Sequence, residues 1–219
     1  MGRRISSVVV VLLGALAGVA TVVVVSMVLY QHVAEPAAKR VAAEGATVEG
    51  DGARAQEPPE YDSLATAVQE LGFHALRDEV VAEEFELDNL DGEREALSSY
   101  SGQLVLLNFW ATWCPPCVEE MPSLQNLHDG LKDVAFSVVA VNVQEDRETV
   151  NEFVEDLELS FPVLLDHDGR TTRRYAVRGM PTSYLIAPDG RVIGAKIGFH
   201  IWDAPGYADG FRTVLELSS

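Results

Sequence analysis

The chain has 219 residues, 47% of them hydrophobic, and a formal net charge of -18, which fits one ordinary domain with an extension and excludes the basic footprint that nucleic-acid binding needs. Its two cysteines are too few for a disulfide framework, and a single pair lacks the second ligand pair of a structural zinc site. Three lysines stand against thirteen arginines in this acidic chain, whose surface reads as a solubilising shell, a saline adaptation or a means of steering basic partners.

Residues 1–30 open with Arg3 and Arg4 and continue as a charge-free run from Ile5 to Tyr30, long enough to cross a hydrocarbon core of about 30 Å as a helix. A transmembrane anchor is expected there. The competing reading is a signal peptide cleaved after Ala20, though such segments have shorter apolar cores. Arg3 and Arg4 lean towards a cytoplasmic N-terminus and an external domain, but Lys39 and Arg40 on the other flank nearly cancel the bias. Residues 31–60, rich in Ala, Glu, Gly and Pro, read as a flexible tether.

A helical lead-in is expected over 61–83, with Asp62 as a cap, Leu64, Val68 and Leu71 on one face, and Gly72 closing it. The main domain, 84–219, begins with a short hairpin around Asp91-Gly92. Leu104 to Phe109 and Ala135 to Val143 are near-continuous apolar runs of the kind that form strands buried on both faces. Between them Met121, Leu124, Leu127 and Leu131 recur at helical spacing, and Val150, Phe153, Val154 and Leu157 mark a second helix starting after Asp146.

A short strand at 163–165 follows, then a turn and one or two helical turns near Thr171 to Tyr175. A hairpin of 182–186 with 191–197 and a helix around 207–217 close the chain. This order describes an α/β domain with a mixed sheet and helices on both faces. The five histidines show no ligand spacing and read as surface residues, and Trp202 reads as a cover for the sheet edge.

The cysteines lie two residues apart in Trp113-Cys114-Pro115-Pro116-Cys117, where a buried strand hands over to a helix. A free thiol has a pKa of about 8.5, and a helix N-terminus lowers it by favouring the anion. Pro115 and Pro116 fit the first helical turn, whose N–H groups have no intrahelical acceptor. The spacing suits exchange: Cys114 attacks a partner's disulfide, and Cys117, held close by the helix, resolves the mixed disulfide. A permanent disulfide or a metal site are the alternatives.

Asn108-Phe109-Trp110-Ala111-Thr112-Trp113-Cys114-Pro115-Pro116-Cys117, followed by Glu120-Met121-Pro122, resembles the TlpA/ResA-like branch of thioredoxin-fold thiol–disulfide oxidoreductases. Phe85-Glu86-Leu87, Leu90-Asp91-Gly92, Gly179-Met180-Pro181-Thr182 and Pro188-Asp189-Gly190 extend the resemblance to roughly 85–217. It implies a thioredoxin-like fold with an N-terminal transmembrane helix in the bacterial inner membrane and the domain in the periplasm or extracytoplasmic space. The implied reaction is reduction of exported protein disulfides, such as those of apocytochrome c, with electrons from a membrane donor. No cofactor or metal is implied beyond the Cys114-Cys117 pair.

The same resemblance makes Met180-Pro181 a cis bond beside the dithiol that pairs with a substrate segment, and gives Trp113, Pro115 and Pro116 to the partner-facing surface. Glu120 matches an acid near the disulfide that accepts or relays a thiol proton; the plain alternative is a solvated acid on the helix dipole, which Glu119 also fits. Asn108 stands where cytoplasmic thioredoxins carry a buried Asp. The Pro-x-x-x-Thr-x-x-Cys pattern of thiol peroxidases is missing around Cys114. An oxidase or isomerase of the same fold, and a scaffold that holds clients without electron transfer, remain as alternatives.

Overall fold

The computed structural model describes residues 60–76 and 80–219. The anchor expected at 1–30, and the tether expected at 31–60 apart from Glu60, lie outside the described residues. No helix among the described residues is long and apolar enough to cross a membrane.

The elements in order are α1 (Glu60–Glu70), β1 (His74–Ala75), β2 (Glu86–Asn89), β3 (Arg94–Ala96), a 3-10 turn (Leu97–Tyr100), β4 (Leu104–Trp110), α2 (Pro115–Gly130) and β5 (Phe136–Val143). They continue with α3 (Arg147–Asp156), β6 (Val163–Asp166), α4 (Arg170–Arg174), β7 (Thr182–Ile186), β8 (Val192–Ile197) and α5 (Tyr207–Ser218). The strands form one mixed sheet in the order β1-β8-β7-β4-β5-β6-β2-β3.

β4 is central, parallel to β5 and antiparallel to β7, and all seven of its residues are buried. Its alternate side chains feed two cores. Leu104, Leu106 and Trp110 face one cluster, and Val105, Leu107 and Phe109 the other. The parallel steps β4-α2-β5 and β5-α3-β6 advance the same way along the sheet, so right-handed crossovers bring both helices to one face. Met121 and Leu124 of α2, Val150 of α3, Leu64 and Val68 of α1, and Phe211 and Val214 of α5 accordingly share a single cluster.

The flanking by helices is therefore uneven. All four long helices contribute to the first cluster, whereas the second is covered by the 3-10 turn, Phe85 and Tyr175, the residue that caps α4. α3 starts after Asp146 as expected, and Asp146 caps it by accepting a hydrogen bond from Thr149 N at 2.9 Å. The helix of the lead-in starts at Glu60, ahead of Asp62, so Asp62 lies in its first turn and does not precede it.

Two placements were not legible from local pattern. The β2-β3 hairpin adds to the sheet beyond β6, and β1 adds beyond β8 at the opposite edge. Trp202 does not cover an edge; it is fully buried, with its ring centroid 5.9 Å from that of Phe73 and 4.8 Å from that of His200.

Candidate active site

Cys114 is the N-cap of α2, with Pro115 and Pro116 in the first two helical positions. Its carbonyl accepts from Cys117 N at 3.0 Å and from Val118 N at 3.1 Å, so the missing N–H groups of the two prolines leave no intrahelical bond unmade. The two cysteines are joined in a disulfide with Cα atoms 5.3 Å apart. Cys114 sits at the rim with 5% of its surface exposed and Cys117 is fully enclosed, which gives the pair an outer and an inner sulfur. Beside the outer one, Trp113 is 64% exposed, an unusual position for an indole.

The loop that carries Cys114 is pinned from β5. Glu145, just past the end of that strand, accepts from Thr112 N at 2.7 Å, from Asn142 Nδ2 at 2.7 Å and from the Thr112 hydroxyl. His167 Nδ1 lies 3.0 Å from the Glu145 carbonyl oxygen and ties the β6 turn to the same loop. Glu145 is not legible from sequence, because an acid after a strand has no local signature.

On the other flank, Met180-Pro181 is a cis bond. It leads directly into β7, whose Thr182 pairs with Phe109 of β4, so Met180 and the dithiol loop lie at the same end of the sheet. Thr182 Oγ1 donates to the Gly179 carbonyl at 2.7 Å, and Gly198 N donates to the Pro181 carbonyl at 2.8 Å.

Glu120 lies one turn beyond Cys117 on α2 and is fully buried, whereas Glu119 is exposed. Asn108 Nδ2 donates to Glu120 Oε1 at 2.8 Å and to Ser183 Oγ at 3.0 Å; His200 N donates to Glu120 Oε2 at 3.1 Å. Burial raises the Glu120 carboxyl to about 7, outweighing the opposing pull of the Asn108 and His200 donors, of Trp202 and of the Lys196 charge. The indole nitrogen of Trp202 is buried without reaching hydrogen-bond geometry.

Lys196, whose own pKa burial lowers, spends its ammonium on the Gly72 carbonyl at 2.9 Å. His200 is half-buried, contrary to its reading as a surface residue. Its Nε2 lies 2.5 Å from the Tyr207 hydroxyl, and burial, helped by Lys196, lowers its pKa to about 4.

The arrangement thus sets a two-sulfur redox unit at a helix N-terminus, with one carboxyl able to hold or release a proton near neutral pH on the same helix. Among the described residues no three His, Cys, Asp or Glu side chains converge as a metal site.

The AhpC/TSA family profile matches residues 79–195. The chain is 39% identical over 117 residues to the thiol-disulfide oxidoreductase ResA of Bacillus subtilis (strain 168), covering 53% of this chain and 65% of that protein. It therefore spans just under two thirds of that relative's length. Among solved structures, StoA from Bacillus subtilis is 27% identical with a TM-score of 0.51, covering 64% of this chain and 99% of that one. A secreted thiol-disulfide isomerase from Corynebacterium glutamicum is 25% identical with a TM-score of 0.54, covering 63% and 84%.

Proposed function

Since this chain belongs to the AhpC/TSA family of thioredoxin-like proteins and is similar to ResA, we propose that it is an extracytoplasmic thiol–disulfide oxidoreductase working through Cys114 and Cys117. The observation that carries this is the graded exposure of the joined sulfurs at the head of α2, beside a buried acid.

In the reductive direction Cys114 thiolate attacks a client disulfide and forms a mixed disulfide, releasing one client thiolate. Cys117 then attacks the Cys114 sulfur, releasing the second client thiolate and closing the disulfide. Two electrons pass to the client, and the two thiol protons end on its sulfurs. Glu120, titrating near neutrality, takes the proton that the inner thiol must lose. Trp113, Pro115 and Pro116 form one wall of the client site and Met180-Pro181 the other, where main-chain groups of Met180 pair with an extended client segment.

The clients are disulfides of exported proteins, apocytochrome c among them, and a membrane protein returns electrons to the Cys114-Cys117 disulfide. Residues 1–30 anchor the chain in the bacterial inner membrane, 31–60 act as a tether, 61–83 as a helical lead-in, and 84–219 as the redox domain outside the cytoplasm.

The test is covalent trapping. With Cys117→Ser in the full chain, mixed disulfides accumulate on Cys114, and mass spectrometry identifies their partners. Apocytochrome c among them supports that client. No adduct in cells grown under either reducing or oxidising conditions overturns the exchange reading.

A further inference from the structure

Residues 169–188 contain Arg170, Arg173, Arg174 and Arg178 and not one acid, in a chain whose net charge is -18. Arg173, Arg174 and Arg178 are exposed and make no ion pair among the described residues. The other described arginines are all paired: Arg94 with Glu86 and Asp88, Arg147 with Asp88, Arg170 with Asp168, Arg191 with Asp189 and Arg212 with Asp133. In so acid-rich a protein, three exposed guanidinium groups with no carboxylate in ion-pair contact are not what a merely solubilising surface would leave.

Their location is specific. Arg170, Arg173 and Arg174 all stand on α4. Arg178 stands two residues before Met180 on the segment leading into β7, whose first residue pairs with the end of β4 just before the dithiol loop. The cationic strip therefore runs up to the Met180 wall of the client site.

We infer that this strip seats an acidic segment, rich in Asp or Glu, that lies next to the reactive cysteine of the partner protein. The inference rests on the proposed exchange reaction, since it names the partner of that same site. The guanidinium fork accepts carboxylates in bidentate fashion, which gives register as well as attraction. The overall negative charge does not prevent this. At physiological ionic strength charges beyond about 8 Å are largely screened; Glu86, Asp88, Asp166 and Asp168 share a depression with Arg170 and Arg174, whereas Arg173 and Arg178 do not line it, so a docking acidic segment is drawn chiefly to the Arg173 and Arg178 side of the strip. A basic segment at the same wall is repelled, so the strip also selects.

The experiment uses the pre-reduced full chain and three disulfide-linked peptides whose cysteine is flanked by glutamates, by serines or by lysines. Each turnover moves two electrons from the Cys114 and Cys117 thiols to the peptide disulfide and yields two peptide thiols. The glutamate peptide is expected to react about tenfold faster than the serine peptide at physiological ionic strength, and the lysine peptide more slowly than either. Replacing the strip (R173Q/R174Q/R178Q) should erase the glutamate advantage and leave the serine rate unchanged.

Equal rates in the unmodified chain, or an advantage that survives the triple substitution, overturn the inference while the exchange reading stands. Failure to reduce any peptide overturns both. Phosphatidylserine vesicles serve as the control for anionic lipid: strip-dependent vesicle binding without a glutamate advantage assigns the strip to the membrane surface and overturns the inference.

Discussion

Asn108 and Glu120 meet side chain to side chain inside the protein, with Asn108 Nδ2 donating to Glu120 Oε1 at 2.8 Å and neither residue exposed. An amide donor from the central strand stabilises the carboxylate without adding charge. The acid is thereby held on α2, on the cysteine helix itself, and its ionisation stays within reach of neutral pH.

Glu120→Gln gives a pH signature. The carboxyl ionises near 4.5 when unfolded and about 7 when folded, so between those values the folded state holds more protons than the unfolded one. Stability of the oxidised protein therefore falls as pH rises from 4.5 through 7. Glutamine removes that component. Denaturant unfolding across pH should show a flatter profile for the variant and a relative gain above pH 7, and an unchanged slope would count against the assignment.

Trp113 and Trp110 should behave oppositely although they stand three residues apart. Trp110 is fully buried and its ring centroid lies 5.1 Å from that of Phe153, so Trp110→Ala should cost about 3–5 kcal/mol in chemical denaturation. Trp113→Ala, at a site 64% exposed, should change stability by less than about 0.5 kcal/mol and instead lower the rate with protein clients. A large stability loss for Trp113→Ala would remove it from the client wall.

Glu145→Ala should loosen the loop before Cys114. It leaves Thr112 N and the buried Asn142 amide without their acceptor, at a cost of about 1–3 kcal/mol. Alkylation of Cys117 in the reduced variant should speed up relative to wild type, because the inner thiol loses its cover. Wild-type protection would mean that the loop is held by other contacts.

Gly194→Ala tests the seating of α1 on the sheet. A Cβ there would come within 2.8 Å of Val68 Cγ1 and 3.1 Å of Phe73 Cβ. The expected cost is about 1–3 kcal/mol, measured by denaturant midpoint. A neutral result would show that this contact yields freely.

The centre of the domain was legible because its signals are local. The apolar run Leu104 to Phe109, the helical spacing of Met121, Leu124 and Leu127, and the paired cysteines each announce themselves within one window. What escaped depends on residues distant in sequence. Trp202 and His200 return to α2 only because the chain after β8 folds back over the Cys117 side, which buries Glu120 and raises its pKa. Glu145 reaches Thr112 only through the parallel pairing of β4 with β5, and β2 of the hairpin pairs with β6, which comes far later in the chain, as in Asp88 with Leu165. No window of sequence holds both partners of such contacts.

The proposed exchange assigns attack to Cys114 and resolution to Cys117. Stopped-flow reaction of the reduced chain with a disulfide-linked peptide tests it directly, with released thiol as the readout. Wild type should release both peptide thiols, Cys117→Ser should stop at the mixed disulfide on Cys114 after releasing one, and Cys114→Ser should react at least about a hundredfold more slowly. Reaction of Cys114→Ser at the wild-type rate would mean that Cys114 is not the attacking thiol.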